Sequence, residues 1–206
     1  MKEEMKSLHE RKVWNLVDLS KGHQPIKGRW IYAVKSDGHK KARFIAKGFT
    51  QVFRIDYENT FSPVARFETL WLLLSLAVLH NWELEALDVK TAFLFGELDE
   101  EIYMEQPEGF IVKDQERKVC WLRKAIYGLK QAALQWNKQL HKSLLEMGFA
   151  HCTADPGTYY KMLRFFFLFF LPLTDLLFHH LHMGIMSHGC PCDSLWLVLS
   201  RTLFHF

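Results

Sequence analysis

The feature that most constrains this chain is a break in composition near residue 162. Lys161 is the last lysine and Glu146 the last glutamate of the 206 residues. Beyond the break, 44 residues carry only four charges, Arg164, Asp175, Asp193 and Arg201, against 45 in the first 162, roughly a threefold fall in charge density. The same 44 residues hold eight of the 17 Phe and five of the 11 His, with no clean helical or alternating period after an opening apolar run. Two parts are therefore expected: a partial domain over 1–162 and a Phe/His-rich tail over 163–206 whose structure the pattern leaves open.

Averaged over the chain, 49% hydrophobic, 24% charged and 15% aromatic residues place it in the globular class and exclude a disordered or collagen-like one. A net charge of +3 permits a polyanionic partner only through the arrangement of its cations. The four cysteines, at 120, 152, 190 and 192, do not space like a disulfide framework, and MKEEMKSLHERK offers no apolar run for a signal peptide. These point to an intracellular chain, cytoplasmic or nuclear, and not a secreted one.

The first 162 residues read as α+β. An amphipathic opening through Met5 and Leu8 leads to Val13–Val17. WIYAV and RFIA then flank the turn-former Asp37-Gly38 as a hairpin. Lys35, Lys40, Lys41, Arg43 and Lys47 lie on and around it, either as a positive face for a polyanion or as the solvated cations of an ordinary hairpin. ETLWLLLSLAVLH, 68–80, is apolar nearly all round and predicts a buried helix closing near Asn81. WELEALDV predicts a strand running into Asp88, and EIYMEQ and VCWL predict two more. From Gln131 to Gly148 a helix is expected to bury Trp136, Leu140, Leu144 and Met147 on one face, with Lys138, His141 and Lys142 facing away.

Asp88 is the residue most suggestive of chemistry. A carboxylate at the end of a buried strand is placed to hold a divalent cation, and equally to cap a turn.

Its neighbours sharpen the choice. LEALDVKTAFLFGELDEEIYMEQPEGF, preceded by KARFIAKGFTQ and DYENTFSPVARFETL and followed by VCWLRKAIYGLKQAALQW, closely resembles the reverse transcriptase domain of copia-type retrotransposons, over roughly residues 1–162. The resemblance implies an incomplete right-hand polymerase, fingers with part of a palm, ending in a tail unlike the family. It further implies template-directed nucleotidyl transfer with two magnesium ions, with an RNA or DNA template-primer and deoxynucleotides as partners. By the same resemblance Asp88 is the first catalytic carboxylate and a metal ligand, with the Val89 carbonyl beside it. Phe93 is the gate that clashes with a ribose 2′-OH, or else a core phenylalanine. Thr91 and Ala92 offer backbone N–H groups to the triphosphate. Arg43, with Lys41 as the alternate, clamps that triphosphate. Tyr127, Gly128, Leu129, Lys130 and Gln131 lie beneath the nascent base pair, or else form a turn before a helix. Thr91 stands where the family commonly has Asn, and Ala133 and Leu134 where it has Pro and Arg.

The family's other two catalytic carboxylates form an adjacent Asp-Asp pair, and no Asp-Asp pair occurs in this chain. One carboxylate of three does not fix two dications, because the mutual repulsion of the metals is left uncompensated. The sequence therefore reads as a truncated, inactive element whose frame was lost or interrupted near residue 162. Without that hairpin the strand ending at Asp88 is expected to have unpaired backbone groups. The rival readings are a noncatalytic nucleic-acid-binding module and, more remotely, a membrane-associated protein. For the tail, a membrane anchor is disfavoured because Phe165 to Phe178 is short and contains Pro172 and Asp175. A zinc site from His179, His180, His182, His188, Cys190 and Cys192 is disfavoured by the single residue inside Cys-Pro-Cys.

Overall fold

The computed structural model describes residues 1–34, 38–163, 166–173 and 195–200. They fall into two compact units. The first comprises residues 1–62 and 93–139, the second residues 63–92 and 140–206.

In the first unit, α1 (Lys2–Glu10) opens with Glu3 and Glu4 against its positive N-terminal dipole and buries Met5 and Leu8, three residues apart on one face. It stops at Lys12, whose φ of 51° is left-handed, and the chain turns into β1 (Trp14–Val17). β1 pairs antiparallel with β6 (Val119–Lys124), Trp14 opposite Leu122 and Val17 opposite Val119. β6 also pairs with β5 (Glu97–Met104), with a register shift between Glu97 and Ile102. The sheet order is β1-β6-β5. Val13, Leu94, Ile102, Met104, Cys120, Leu122 and Ile126 are almost wholly buried around it with Met5 and Leu8. Burial also pushes the Cys120 thiol up to about 12.

The expected hairpin is present as β2 (Gly28–Val34) and β3 (Lys40–Ala46), antiparallel with Ile31 opposite Arg43. Alternation along β3 sends Phe44 and Ala46 into the core and puts Lys41 and Arg43 together on the other face. Lys40 is exposed at the strand's start. Lys35 lies outside the described residues.

In the second unit, α2 (Phe67–Leu79) buries only the stripe Leu70, Leu73 and Ala77. The expectation of a helix buried all round is thus corrected: Trp71, Leu72, Val78 and Leu79 are exposed. Local hydrophobicity reports composition, whereas burial follows from which face has a neighbour. β4 (Glu83–Asp88) lies at one end of a five-stranded sheet of order β4-β10-β9-β8-β7, with β7 (Ala150–His151), β8 (Tyr159–Leu163), β9 (Phe166–Leu173) and β10 (Leu195–Ser200). β10 pairs with β4 along its whole length, from Leu195 opposite Asp88 to Ser200 opposite Glu83. The strand ending at Asp88 therefore has a neighbour on one side, where unpaired groups were expected, and its other side is an end of the sheet. The tail supplies that neighbour. No helix among the described residues is long and apolar enough to cross a membrane, and the His/Cys-rich stretch weighed as a zinc site lies outside them.

α3 (Ala132–Glu146) belongs to the first unit up to Gln139. In the second unit Leu140 and Leu144 are buried as expected, but Met147 falls past the helix end and is exposed. Nor does His141 face away: its Nδ1 shares a hydrogen bond with the Tyr159 hydroxyl at 3.0 Å.

Candidate nucleotide and nucleic-acid site

Three of the site residues expected from separate parts of the sequence meet in the first unit. The Ala46 N–H donates to the Tyr127 carbonyl at 2.8 Å, which fastens the end of β3 to the YGLK turn. Gly128 permits this approach. Its φ is 88°, and a Cβ there would strike the Ala46 carbonyl. Three residues back along β3, the Arg43 guanidinium carbon lies 5.0 Å from the centre of the Tyr127 ring. Phe93 meets the same ring edge to face, with centroids 5.3 Å apart and planes at 72°. Tyr127 is buried, while Arg43 and Phe93 are half-buried.

A carboxylate shapes the field around Arg43. Glu4, on α1, is buried, and its Oε1 accepts the Phe44 N–H at 3.4 Å. Burial pushes the Glu4 carboxyl above its ordinary range, against the pull of the Phe44 N–H and of the Arg43 and Lys41 charges.

The rest of the string at 127–131 divides by exposure. Gln131 is fully buried. Its Oε1 accepts from Gln51 Nε2 at 3.0 Å, and its own Nε2 donates to the Asp56 carbonyl at 2.8 Å. Gln51 Oε1 in turn accepts the Lys130 N–H at 2.8 Å. Lys130 itself is exposed, with Nζ donating to the Tyr57 hydroxyl at 2.9 Å. KGFTQ and YGLKQ are thus stitched together by two glutamines. Sequence reasoning assigned a role to Gln131 and none to Gln51. The signal available was the recurrence of Gln in both strings, and nothing local marked either as buried.

In the second unit, Asp88 ends β4. Asp88, Leu195 and Leu173 share one rung across β4, β10 and β9, which sets the Asp88 and Leu173 backbones about 10 Å apart. Val89 is half-buried, and Thr91 has a φ of 56°, an unusual conformation for a β-branched residue. Its Oγ1 donates to the Lys90 carbonyl at 2.6 Å. Ala92 is fully buried.

Among the described residues no three His, Cys, Asp or Glu side chains converge as a metal site. The sequence contains no Asp-Asp pair, so the donors among the described residues fall short of a two-magnesium centre.

The family model described as reverse transcriptase (RNA-dependent DNA polymerase) matches residues 11–187. The chain is 41% identical over 196 residues to the retrovirus-related Pol polyprotein from transposon TNT 1-94 of Nicotiana tabacum, covering 91% of this chain and 15% of that polyprotein. It is 44% identical over 152 residues to the Pol polyprotein from transposon RE1 of Arabidopsis thaliana, covering 71% of this chain and 10% of the other. Against the Transposon Ty1-H Gag-Pol polyprotein of Saccharomyces cerevisiae it is 32% identical over 126 residues, 59% of this chain and 7% of that one. No solved structure matches. The family match and these similarities show that the chain belongs to the reverse transcriptase family of retrotransposon Pol polyproteins. It spans 15% or less of these relatives. The family match also runs past Met162, where the sequence reading ended it, and takes in part of the Phe/His-rich tail.

Proposed function

We propose that the chain is a fingers-and-partial-palm piece of a copia-type reverse transcriptase of right-hand fold, which binds template-primer and deoxynucleotide but does not transfer nucleotides. The observation that carries this reading is the meeting of Arg43, Phe93 and Tyr127, three residues from three separate family-like strings, in one partly exposed cluster. The planar fork of an arginine suits the oxygens of a triphosphate. Lys41, two residues away on the same face of β3, adds charge. The Phe93 ring, held edge-on by Tyr127, is the group against which a 2′-OH would clash. Gly128 and Lys130 are the exposed part of the turn and face the base pair, while Gln131 positions that turn from below. In the family, the residues at the positions of Thr91 and Ala92 would offer backbone N–H groups to the triphosphate. In the family, Asp88 and the Val89 carbonyl would hold magnesium, which activates the primer hydroxyl and neutralises the leaving pyrophosphate. Here the donor set falls short, so binding without transfer is the function retained.

The test is the salt dependence of primer-template binding by the full chain. Converting Lys41 and Arg43 together to Gln is expected to weaken binding and flatten the slope of log affinity against log salt by roughly one to two phosphate contacts. An unchanged slope would mean that these cations only solvate the hairpin.

A further inference from the structure

Away from the Arg43–Tyr127 cluster, the first unit holds a groove of about 700 Å³ where the end of α1 meets the start of β5 and the end of β6. Four cations from two separate stretches line it, Arg11 and Lys12 from one and Arg123 and Lys124 from the other, against two carboxylates, Glu10 and Glu97. The backbone dictates their meeting. The Val13 carbonyl accepts both the Arg123 N–H at 2.8 Å and the Lys124 N–H at 3.2 Å, and the Ala125 N–H donates to the Gly96 carbonyl at 2.8 Å. Glu10 lies 3.7 Å from Lys6. None of the four cations makes an ion pair among the described residues.

Two further features mark the groove as built for an anion. The Arg11 guanidinium carbon sits 4.0 Å from the centre of the Phe95 ring, and that of Arg123 sits 4.8 Å from the Trp121 ring. Each cation is thereby oriented by a ring that does not neutralise it. Lys12 also stands in the left-handed position just after α1, with φ 51°, where the Lys12 N–H donates to the His9 carbonyl and the Val13 N–H to the Leu8 carbonyl. Glycine or asparagine is the usual residue there. A lysine held at that strained point trades stability for a charge at the mouth of the groove.

We propose that this groove binds the phosphodiester backbone of single-stranded nucleic acid, apart from the residues that face the nucleotide. The excess of two cations and the two planar guanidinium forks select phosphate. Phe95, partly exposed, offers a base an apolar edge. That the phosphates belong to a nucleic acid rests on the reverse transcriptase reading above.

The experiment measures binding of a short oligothymidylate to the full chain by fluorescence anisotropy across a salt series, beside thermal unfolding. Lys12→Gly relieves the left-handed strain, so it should raise the melting temperature while weakening binding several-fold. Lys12→Gln with Lys124→Gln should reduce the salt slope by about 1.4, two single-strand phosphate contacts. Lys113→Gln, exposed and outside the groove, should change neither. Binding at parental affinity and slope by the stabilised Lys12→Gly chain would overturn the proposal. So would equal competition by poly-glutamate, which would make the groove a site for any polyanion. If Lys41→Gln with Arg43→Gln abolishes binding while the groove variants keep it, the groove falls and the nucleotide-site reading stands. The reverse pattern separates them the other way.

Discussion

The Asp155 carboxylate accepts the backbone N–H of Arg66 at 2.9 Å, across 89 residues of sequence, and so caps a helix that has no side-chain cap of its own. Its other oxygen accepts the Gly157 N–H at 3.0 Å. A Cβ at Gly157 would run into the Ala65 backbone, so the Asp-Pro-Gly turn lies directly against the start of α2. One buried carboxylate thus joins the helix at 67–79 to the turn that leads into β8.

Replacing Asp155 by Ala should destabilise the second unit by about 1–2 kcal/mol at neutral pH, the usual worth of an N-terminal cap, as measured by denaturant unfolding. The pH dependence follows from its titration. Burial alone would raise this carboxyl, but hydrogen bonds from Thr69, Arg66, Gly157 and Thr158 outweigh it and hold it below the ordinary range. A depressed folded value means the contribution is fully present above the unfolded value, near about 3.9, and is lost as pH falls through the folded one. Asp155→Asn should therefore lose less stability than the parent as the pH falls from neutral through the depressed folded value. Equal acid sensitivity of the two would show that the carboxylate is not the group responsible.

The paired amides of Gln51 and Gln131 make a second prediction. Truncating either to Ala leaves the other's buried amide short of a partner, at about 1–3 kcal/mol. Truncating both should cost less than the sum of the singles, with a coupling of about 1 kcal/mol in a double-mutant cycle. Strict additivity would mean the hydrogen bond at 3.0 Å contributes nothing to stability.

Cys120, fully buried with its thiol pushed up to about 12, should resist alkylation in the native chain at mildly alkaline pH, whereas Cys152, half-buried, reacts. Peptide mapping after labelling reads this directly. Native labelling of Cys120 at the rate of Cys152 would show that the sheet core around β6 opens readily.

These relationships differ in how far the sequence announces them. The β2–β3 hairpin was legible because Asp37-Gly38 is a turn signal between two β-rich runs. α3 was legible from Trp136, Leu140 and Leu144 at helical spacing. Arg43, Phe93 and Tyr127 were legible only through the family-like strings, since each alone fits a core or surface role. The exposed face of α2 was hidden because its apolar residues run round the whole helix. The pairing of β10 with β4 was hidden because the tail lacks the alternation that marks a half-buried strand. Gln51 and Asp155 were hidden for a simpler reason: each acts on a partner some 80 or 89 residues away.

Primer extension by the purified full chain, with primer-template, magnesium and deoxynucleotides, tests most directly the claim that binding is retained and nucleotide transfer is not. A salt-sensitive complex with primer-template is expected, with no extended product above background. Extension that disappears in Asp88→Ala or Asp175→Ala would contradict that claim, because a working pair of metal ligands would then exist despite the missing Asp-Asp pair.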